Sequence, residues 1–513
     1  MRIIVSFLLL LPLLLSPNPG ATKNCAPLST SNPEPAIVSP SQNVRPDVEQ
    51  RIRRIEDGLL LPVIIKGHPS QPMKLADRMQ FYKTPGVSIA FINDGQIEWA
   101  RGYGVRETAS RGPVTTETLF QAGSISKAVT GIAAMRLVQA GKLNLDEDVN
   151  RRLVSWKVPE NEFTKGKKVT LRGLLSHTAG VNVSSFTGYL TNEQVPTLAQ
   201  VLDGVKPANT PPIRVEQAPG SGFRYSGGGY TIIQQLLIDV EKKPFPDLMG
   251  ELVFEPLKMA HSTFEQQPLP KNLASLAAAG HNFNGEMPAG KWRVFPEMAA
   301  AGMWTTPSDL ARLIIQMQRA QAGQSNKLLS ADTVNQMLTP QSGGWGLGFF
   351  VEGAGLTRRF GHGGSTLEFN SYLVAYNQRG QGVVIMTNAL RGESIINELL
   401  RSIAHEYGWG DFRPKEKTVV AIDPKVYADY IGQYQFEFSP DYVLTVSTGA
   451  GGLITELKQP TSQSKAELYA ESETKFFRKD VDVEVTFVKD ETGRVTHLIF
   501  RQDGQDLRAR RIK

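Results

Sequence analysis

The chain has little with which to brace itself covalently or to cage a metal. Its 513 residues include one cysteine, Cys25, and seven histidines. A single cysteine excludes an intramolecular disulfide and a cysteine zinc cage, so the fold must stand on its core alone. Charge of one sign is not concentrated either. The formal net charge is +6, but basic and acidic residues are interspersed, which argues for a mixed solvated surface and against a nucleic-acid stripe. The short basic cluster "RARRIK" at the end reads as one face of a final strand, and no nucleic-acid partner is expected.

The apolar run that opens the chain, Ile3 to Leu15 after Arg2, is too short to cross a bilayer. It suits the central region of a secretory signal, and small and turn-forming residues follow it. Residues 1–21 are therefore expected to be a signal peptide. That makes the protein exported, periplasmic or extracellular, with no membrane span in the mature chain. Lys23 and Asn24 directly before Cys25 disfavour a lipid anchor there.

What is present is the balance of a folded globular protein, with 41% hydrophobic and 21% charged residues. Residues 22–46, rich in Pro and Ser, read as a flexible lead-in. A helix is predicted from Pro46, with Val48, Ile52, Ile55 and Leu59 on one face. Two β-rich runs flank Asn93-Asp94-Gly95, a hairpin signal. Helical spacing returns at Ile233, Leu236, Leu237 and Val240. In "TTPSDLARLIIQ", Thr306 reads as an N-cap, Pro307 as the first helical residue and Asp309 as the partner in a capping box. Strands "SYLVAY" and "GVVIMTN" follow, then a helix with Ile396, Leu399, Leu400 and Ile403 on one face. Strands at both ends of residues 75–410 around a helix-rich middle predict one α/β domain whose sheet is assembled from both ends. Past Pro414, short β-runs separated by Gly, Ser and Asp turns predict an all-β barrel or sandwich of about 90 residues.

Three stretches carry candidate chemistry. In "GSISK", Ser124 stands three places before Lys127, one helical turn apart on nearly the same face. Unpaired N–H groups and the positive dipole end meet a serine in a first turn, and a desolvated lysine can lose its proton and act as base. The same tetrad arises by chance in a chain of this length. "SQSK", Ser462 to Lys465, is such a case and reads as a polar turn. Behind Ser124, by contrast, Val129, Ile132, Ala133 and Leu137 would bury a helix that Gly141 stops. In "PGSGFRYSGGGY", Tyr225 projects from a glycine-rich loop; near a lysine it could deprotonate below its usual pKa of about 10 and act as a base, or it could simply plug a turn. A phosphate cradle is disfavoured, because neither Walker nor dinucleotide spacing is present. In "FGHGGS", His362 precedes two glycines that would let a backbone or ligand approach, although a lone histidine is more often structural.

"GSISK", "LLSHTAG", "PGSGFRYS", "AAAGMWTTPSDLAR" and "FGHGGS" occur in the order of one family. The chain resembles the serine β-lactamase-related hydrolases of the class C β-lactamase and D-Ala-D-Ala carboxypeptidase type, and among them the esterase and D-aminopeptidase-like members. The tail is similar to the lipocalin-like barrel that some members carry. The resemblance implies a β-lactamase/transpeptidase-like α/β domain over residues 47–412, with an antiparallel sheet flanked by helices and a helical subdomain, and a small all-β barrel over 423–513. It also implies Ser124 as nucleophile, Lys127 as its proton acceptor and Tyr225 as proton shuttle. The backbone N–H groups of Ser124 and Ser365 would form the oxyanion hole, and His362, Gly363 and Gly364 a substrate-binding and relay strand.

Two departures stand out. Ser226-Gly227 follows Tyr225, so the asparagine of the family's Tyr-x-Asn motif is missing, and His362-Gly363-Gly364 replaces Lys-Thr-Gly. An imidazole with a pKa of about 6.5 is mostly neutral at pH 7, so carboxylate-bearing β-lactams should bind less well than esters or D-amino-acid peptides. Gly-x-Ser-x-Gly and Ser-Asp-Asn are absent, which disfavours an α/β-hydrolase triad and the class A route. His177 and Arg224 read as structural. The expected function is a secreted serine hydrolase working through an acyl-enzyme on a small-molecule or peptide substrate. The alternatives are a genuine β-lactamase and a catalytically weakened, ligand-binding member of the fold. No metal or organic cofactor is implied, and the barrel is a candidate surface for homo-oligomerisation.

Overall fold

The computed structural model describes residues 45–68, 72–449, 452–459, 462–502 and 504–513. The expected signal peptide, Cys25 and the lead-in up to residue 44 lie outside the described residues. Two compact units are present, one of residues 45–56 and 74–397, the other of residues 57–73 and 398–513.

One antiparallel sheet organises the first unit. Strands β1 (Gly86–Asn93) and β2 (Gln96–Gly104) are joined by Asp94 and Gly95, at φ 50° and 68°. A two-residue turn with both positions left-handed matches the natural twist of a hairpin, as Asn-Asp-Gly predicts. The remaining strands are β3 (Phe350–Glu352), β4 (Arg359–Ser365), β5 (Asn370–Tyr376) and β6 (Gly382–Thr387). Their order is β2-β1-β6-β5-β4-β3, so the first hairpin completes a sheet built from the far end of the unit.

Helices cover the sheet. Helix α1 (Pro46–Asp57) buries Val48, Ile52 and Ile55, and is tied to β2 through Arg101, which donates to Glu49 and, at 3.0 Å, to Glu56. Unlike a surface helix, α2 (Ile125–Gln139) is buried on nearly every face, which matches the spread of apolar residues around it. Its Val129, Ile132 and Ala133 share a core with Leu373, Ala375, Val384 and Met386 of the sheet. Around it lie α3 (Gly227–Glu241), α4 (Met298–Ala301) and α5 (Pro307–Gln321).

Two local expectations need correction. Thr306 does cap α5, accepting from Asp309 N at 3.2 Å, but the capping box is not closed from the other side. The Asp309 carboxylate instead accepts from His261 N and Ser262 Oγ, both at 2.9 Å, and pairs with Arg312. A tertiary partner with two donors outcompetes one local N–H. The tetrad at Ser462–Lys465 lies within a strand rather than in a turn.

In the second unit eight strands close a barrel: β7 (Gly432–Phe436), β8 (Val443–Gly449), β9 (Gly452–Gln459), β10 (Ser462–Ala470), β11 (Lys475–Phe477), β12 (Val483–Lys489), β13 (Val495–Gln502) and β14 (Gln505–Arg511). Closure comes from β7 pairing with β14, Tyr434 opposite Arg511. Alternate side chains point inward, and Tyr430, Tyr434, Phe436, Phe476, Phe487 and Leu498 form the interior core. On the outside, Arg508 and Arg510 of the basic cluster meet Glu437.

Leu373→Ala, at a fully buried position of β5 in the core shared with α2, is expected to destabilise the fold by about 2–5 kcal/mol. The check is the midpoint of urea unfolding, which should fall with its slope unchanged.

Candidate active site

Ser124 is the N-cap of α2, yet its hydroxyl makes no capping hydrogen bond. A serine at this position ordinarily satisfies an N–H of the first turn. Here the oxygen accepts from Lys127 Nζ at 3.0 Å. Ser126 ties down the surrounding backbone, donating to Gly123 O at 2.6 Å and accepting from Met303 N at 3.0 Å. Lys127 is 1% exposed. Its second acceptor is Ala300 O at 2.8 Å, which the small side chains of α4 allow close to α2. Burial lowers the lysine's pKa to about 7, because losing water disfavours the charged form and neither acceptor is a carboxylate.

Tyr225 lies over this pair. Its ring centroid is 5.1 Å from Lys127 Nζ, and the phenol interacts with Ser124. Burial raises the phenol's pKa above its ordinary value, and the interaction with Ser124 only partly opposes that. The expectation that a neighbouring lysine would ease its deprotonation is thus corrected: the same dryness that neutralises the amine keeps the phenol protonated. Ser226 next to it caps α3, accepting from Gly229 N at 2.9 Å and donating to Asn182 O at 2.7 Å. A Cβ on Gly227 would stand 2.9 Å from the Phe186 ring, so the position where the family motif carries asparagine is filled from outside.

Two glycines bring β4 against the start of α2. A Cβ on Gly364 would fall 1.9 Å from Ala122 O, and one on Gly123, at φ 53°, 2.7 Å from Ser365 N. The Ser365 amide is therefore beside the residue that precedes Ser124. Two backbone N–H groups at the mouth of a helix are the donor arrangement that stabilises an oxyanion. His362, opposite Leu373 in the sheet, is fully buried, while Gly363 and Ser365 are partly exposed. Its Nδ1 donates to Gly363 O at 2.6 Å. Burial, then the charge of Lys127, hold its pKa down at about 3, so the imidazole is neutral. The strand offers substrate no fixed cation at this position.

A family model described as Beta-lactamase matches residues 74–405. The chain belongs to the beta-lactamase family. A second model, a domain of unknown function (DUF3471), matches residues 416–511. Protein flp of Staphylococcus aureus (strain MRSA252) is 25% identical over 315 residues, which are 59% of this chain and 59% of flp. The match thus spans about three-fifths of that relative's length. Penicillin-binding protein 4 of Amycolatopsis lactamdurans is 26% identical over 339 residues, 63% of this chain and 86% of its own. Among solved structures, an octameric penicillin-binding protein homologue from Pyrococcus abyssi superposes with a TM-score of 0.56 at 20% identity, covering 85% of this chain and 98% of that one. SurE gives 0.52 at 20% identity, with 85% and 97% covered. At these identities the likeness to the two structures is one of fold.

This beta-lactamase family member also places residues at the site that sequence reasoning passed over. Trp345 is buried and meets the rings of His177, Tyr225 and His362 at 5.1, 5.6 and 5.1 Å. Its neighbours Gly343, Gly344 and Gly346 were the available signal. Ala300 contributes only a carbonyl, which no residue type announces. Outside that group, Glu297, just ahead of α4 and within electrostatic reach of Tyr189 rather than of Lys127, is wholly buried, and neither carboxyl oxygen has a hydrogen-bond partner among the described residues. A lone acid in the apolar stretch "FPEMAAAGM" was its trace. Among the described residues no cluster of three or more His, Cys, Asp or Glu is placed to hold a metal ion.

Burial raises the Glu297 pKa from its ordinary 4.5 to about 8. The folded chain keeps a proton that the unfolded chain has lost, so this residue weakens the fold progressively as pH rises from about 4.5 to about 8. Relative to wild type, Glu297→Gln should gain melting temperature across that window and coincide with it below pH 4.5.

Proposed function

We propose that the protein is a serine hydrolase that forms a covalent acyl-enzyme on Ser124 and acts on esters or D-amino-acid-containing peptides. The observation that carries this reading is a buried, carboxylate-free Lys127 with a pKa of about 7, hydrogen-bonded to a hydroxyl that its own helix leaves uncapped. At neutral pH a large share of the amine is unprotonated and can accept the Ser124 proton as Oγ attacks the carbonyl carbon. The N–H groups of Ser124 and Ser365 take the developing oxyanion. Collapse breaks the bond to the leaving group, which receives a proton from the Tyr225 phenol while Lys127 returns one to it. Water then adds to the acyl carbon by the same relay, and Ser124 is regenerated. In this scheme Tyr225 acts as a donor and conduit rather than as a standing base, consistent with its raised pKa.

The neutral His362 and the filled space at Gly227 favour substrates that need neither a fixed cation nor an amide clamp. SurE, a neighbour in fold, has been solved with D-Leu, which keeps a D-amino acid within the reach of this architecture. The proposal extends to location and assembly: residues 1–21 direct export to the periplasm or beyond, and the barrel mediates self-association. β-Lactam hydrolysis is the second reading, favoured by the family itself and by the similarity to a penicillin-binding protein.

A fluorophosphonate probe should label Ser124 and fail to label Ser124→Ala; undiminished labelling of the variant would overturn the assignment. The labelling rate should climb with pH through a midpoint near 7, and Lys127→Arg should lose both the rate and the midpoint. Turnover of p-nitrophenyl acetate or a D-Ala-D-Ala peptide in preference to nitrocefin distinguishes the first reading from the second.

A further inference from the structure

We propose that His177 is a positioning residue that holds the Tyr225 phenol against Ser124, an inference that rests on the hydrolase reading above. The residue follows the short helix Leu171–Leu175 and its C-cap Ser176, and has a left-handed backbone at φ 60°. Only a few per cent of non-glycine residues adopt that conformation, histidine among the more frequent, so the position calls for a reason. The cause lies in what His177 reaches. Its carbonyl accepts from Arg224 N at 2.8 Å, and its ring Nδ1 accepts from Ser226 N at 3.1 Å. The two bonds grip the residues on either side of Tyr225 and leave Tyr225 between them.

The side chain completes the grip. The imidazole and phenol rings are 4.3 Å apart and tilted by 34°. Trp345 stands edge-on to the imidazole at 5.1 Å and 90°, and Tyr230 lies 5.4 Å away, so the imidazole is backed on more than one side. Accepting at Nδ1 puts the ring proton on Nε2. Burial, with Lys127 and His362 nearby, holds the pKa well below its ordinary value, so the ring stays neutral and Nδ1 stays an acceptor. Nε2 has no hydrogen-bond partner among the described residues. A buried donor left unsatisfied costs stability, so stability alone does not account for a histidine here. The ring takes no proton in the cycle; it acts on the reaction through the place it gives Tyr225.

His177→Asn separates the two contributions. Asn Oδ1 can stand where Nδ1 stands, and asparagine tolerates the left-handed backbone, so the bond from Ser226 N is kept while the ring against Tyr225 is lost. With p-nitrophenyl acetate and the full chain, kcat normalised to fluorophosphonate-titrated sites is expected to fall about tenfold, and about a hundredfold in His177→Ala, with KM little changed. In a Tyr225→Phe background, His177→Asn should cause no further loss, because its effect passes through the phenol. Unchanged kcat with a lowered melting temperature, additive losses in the double variant, or failure of His177→Asn to fold would each overturn the proposal. Full turnover by Ser124→Ala would instead sink the hydrolase reading, whatever His177 does.

Discussion

The site depends on keeping water and carboxylates away from one ammonium group. Among the described residues Lys127 is hydrogen-bonded to a hydroxyl and a carbonyl and to no carboxylate, and that poverty of partners leaves much of it uncharged at neutral pH. A single acid within reach would restore the charge. Much of the first unit can be understood as the container for this amine. Helix α2 is buried on nearly all sides, and its first turn with it. The alanines of α4 keep that helix close enough for its backbone to receive Nζ. The rings of Tyr225, Tyr230 and Trp345 stand around the same pocket.

Dryness acts on every titratable group there at once, and in opposite directions. It neutralises Lys127, His177 and His362 by discharging cations, and it holds the Tyr225 proton by refusing an anion. The outcome is a pocket crowded with ionisable side chains and nearly free of net charge. In the proposed reaction such a site would meet transition-state charge with backbone dipoles, which need no reorganisation as that charge develops. The touching backbones at Gly123 and Gly364 keep the Ser365 amide beside the start of α2, since a side chain at either position would push the two apart.

How much of this could be read beforehand depended on range. The hairpin at Asp94-Gly95, the helix behind Ser124 and the alternation of the last strands follow local rules, and the chain obeys them. That Tyr225 would meet Ser124 came from the order of motifs in a family, for nothing local joins positions a hundred residues apart. The lowered lysine pKa was legible only as a possibility of chemistry, because it required Ala300, 173 residues along, to present a carbonyl. Expectations went astray where a local rule met a distant partner. Asp309 left its capping role for His261 and Ser262, and the phenol of Tyr225 answered to burial more than to the lysine beside it.

The barrel has a consequence of its own. Closed barrels of eight strands are built either solid or hollow, and this one is solid: Tyr430 stacks on Phe487 at 4.3 Å, Tyr434 bonds to the Tyr430 carbonyl, and Phe476 fills in beside them. The space these rings take is furnished by the chain itself, so they brace the staves from within as a hub braces spokes.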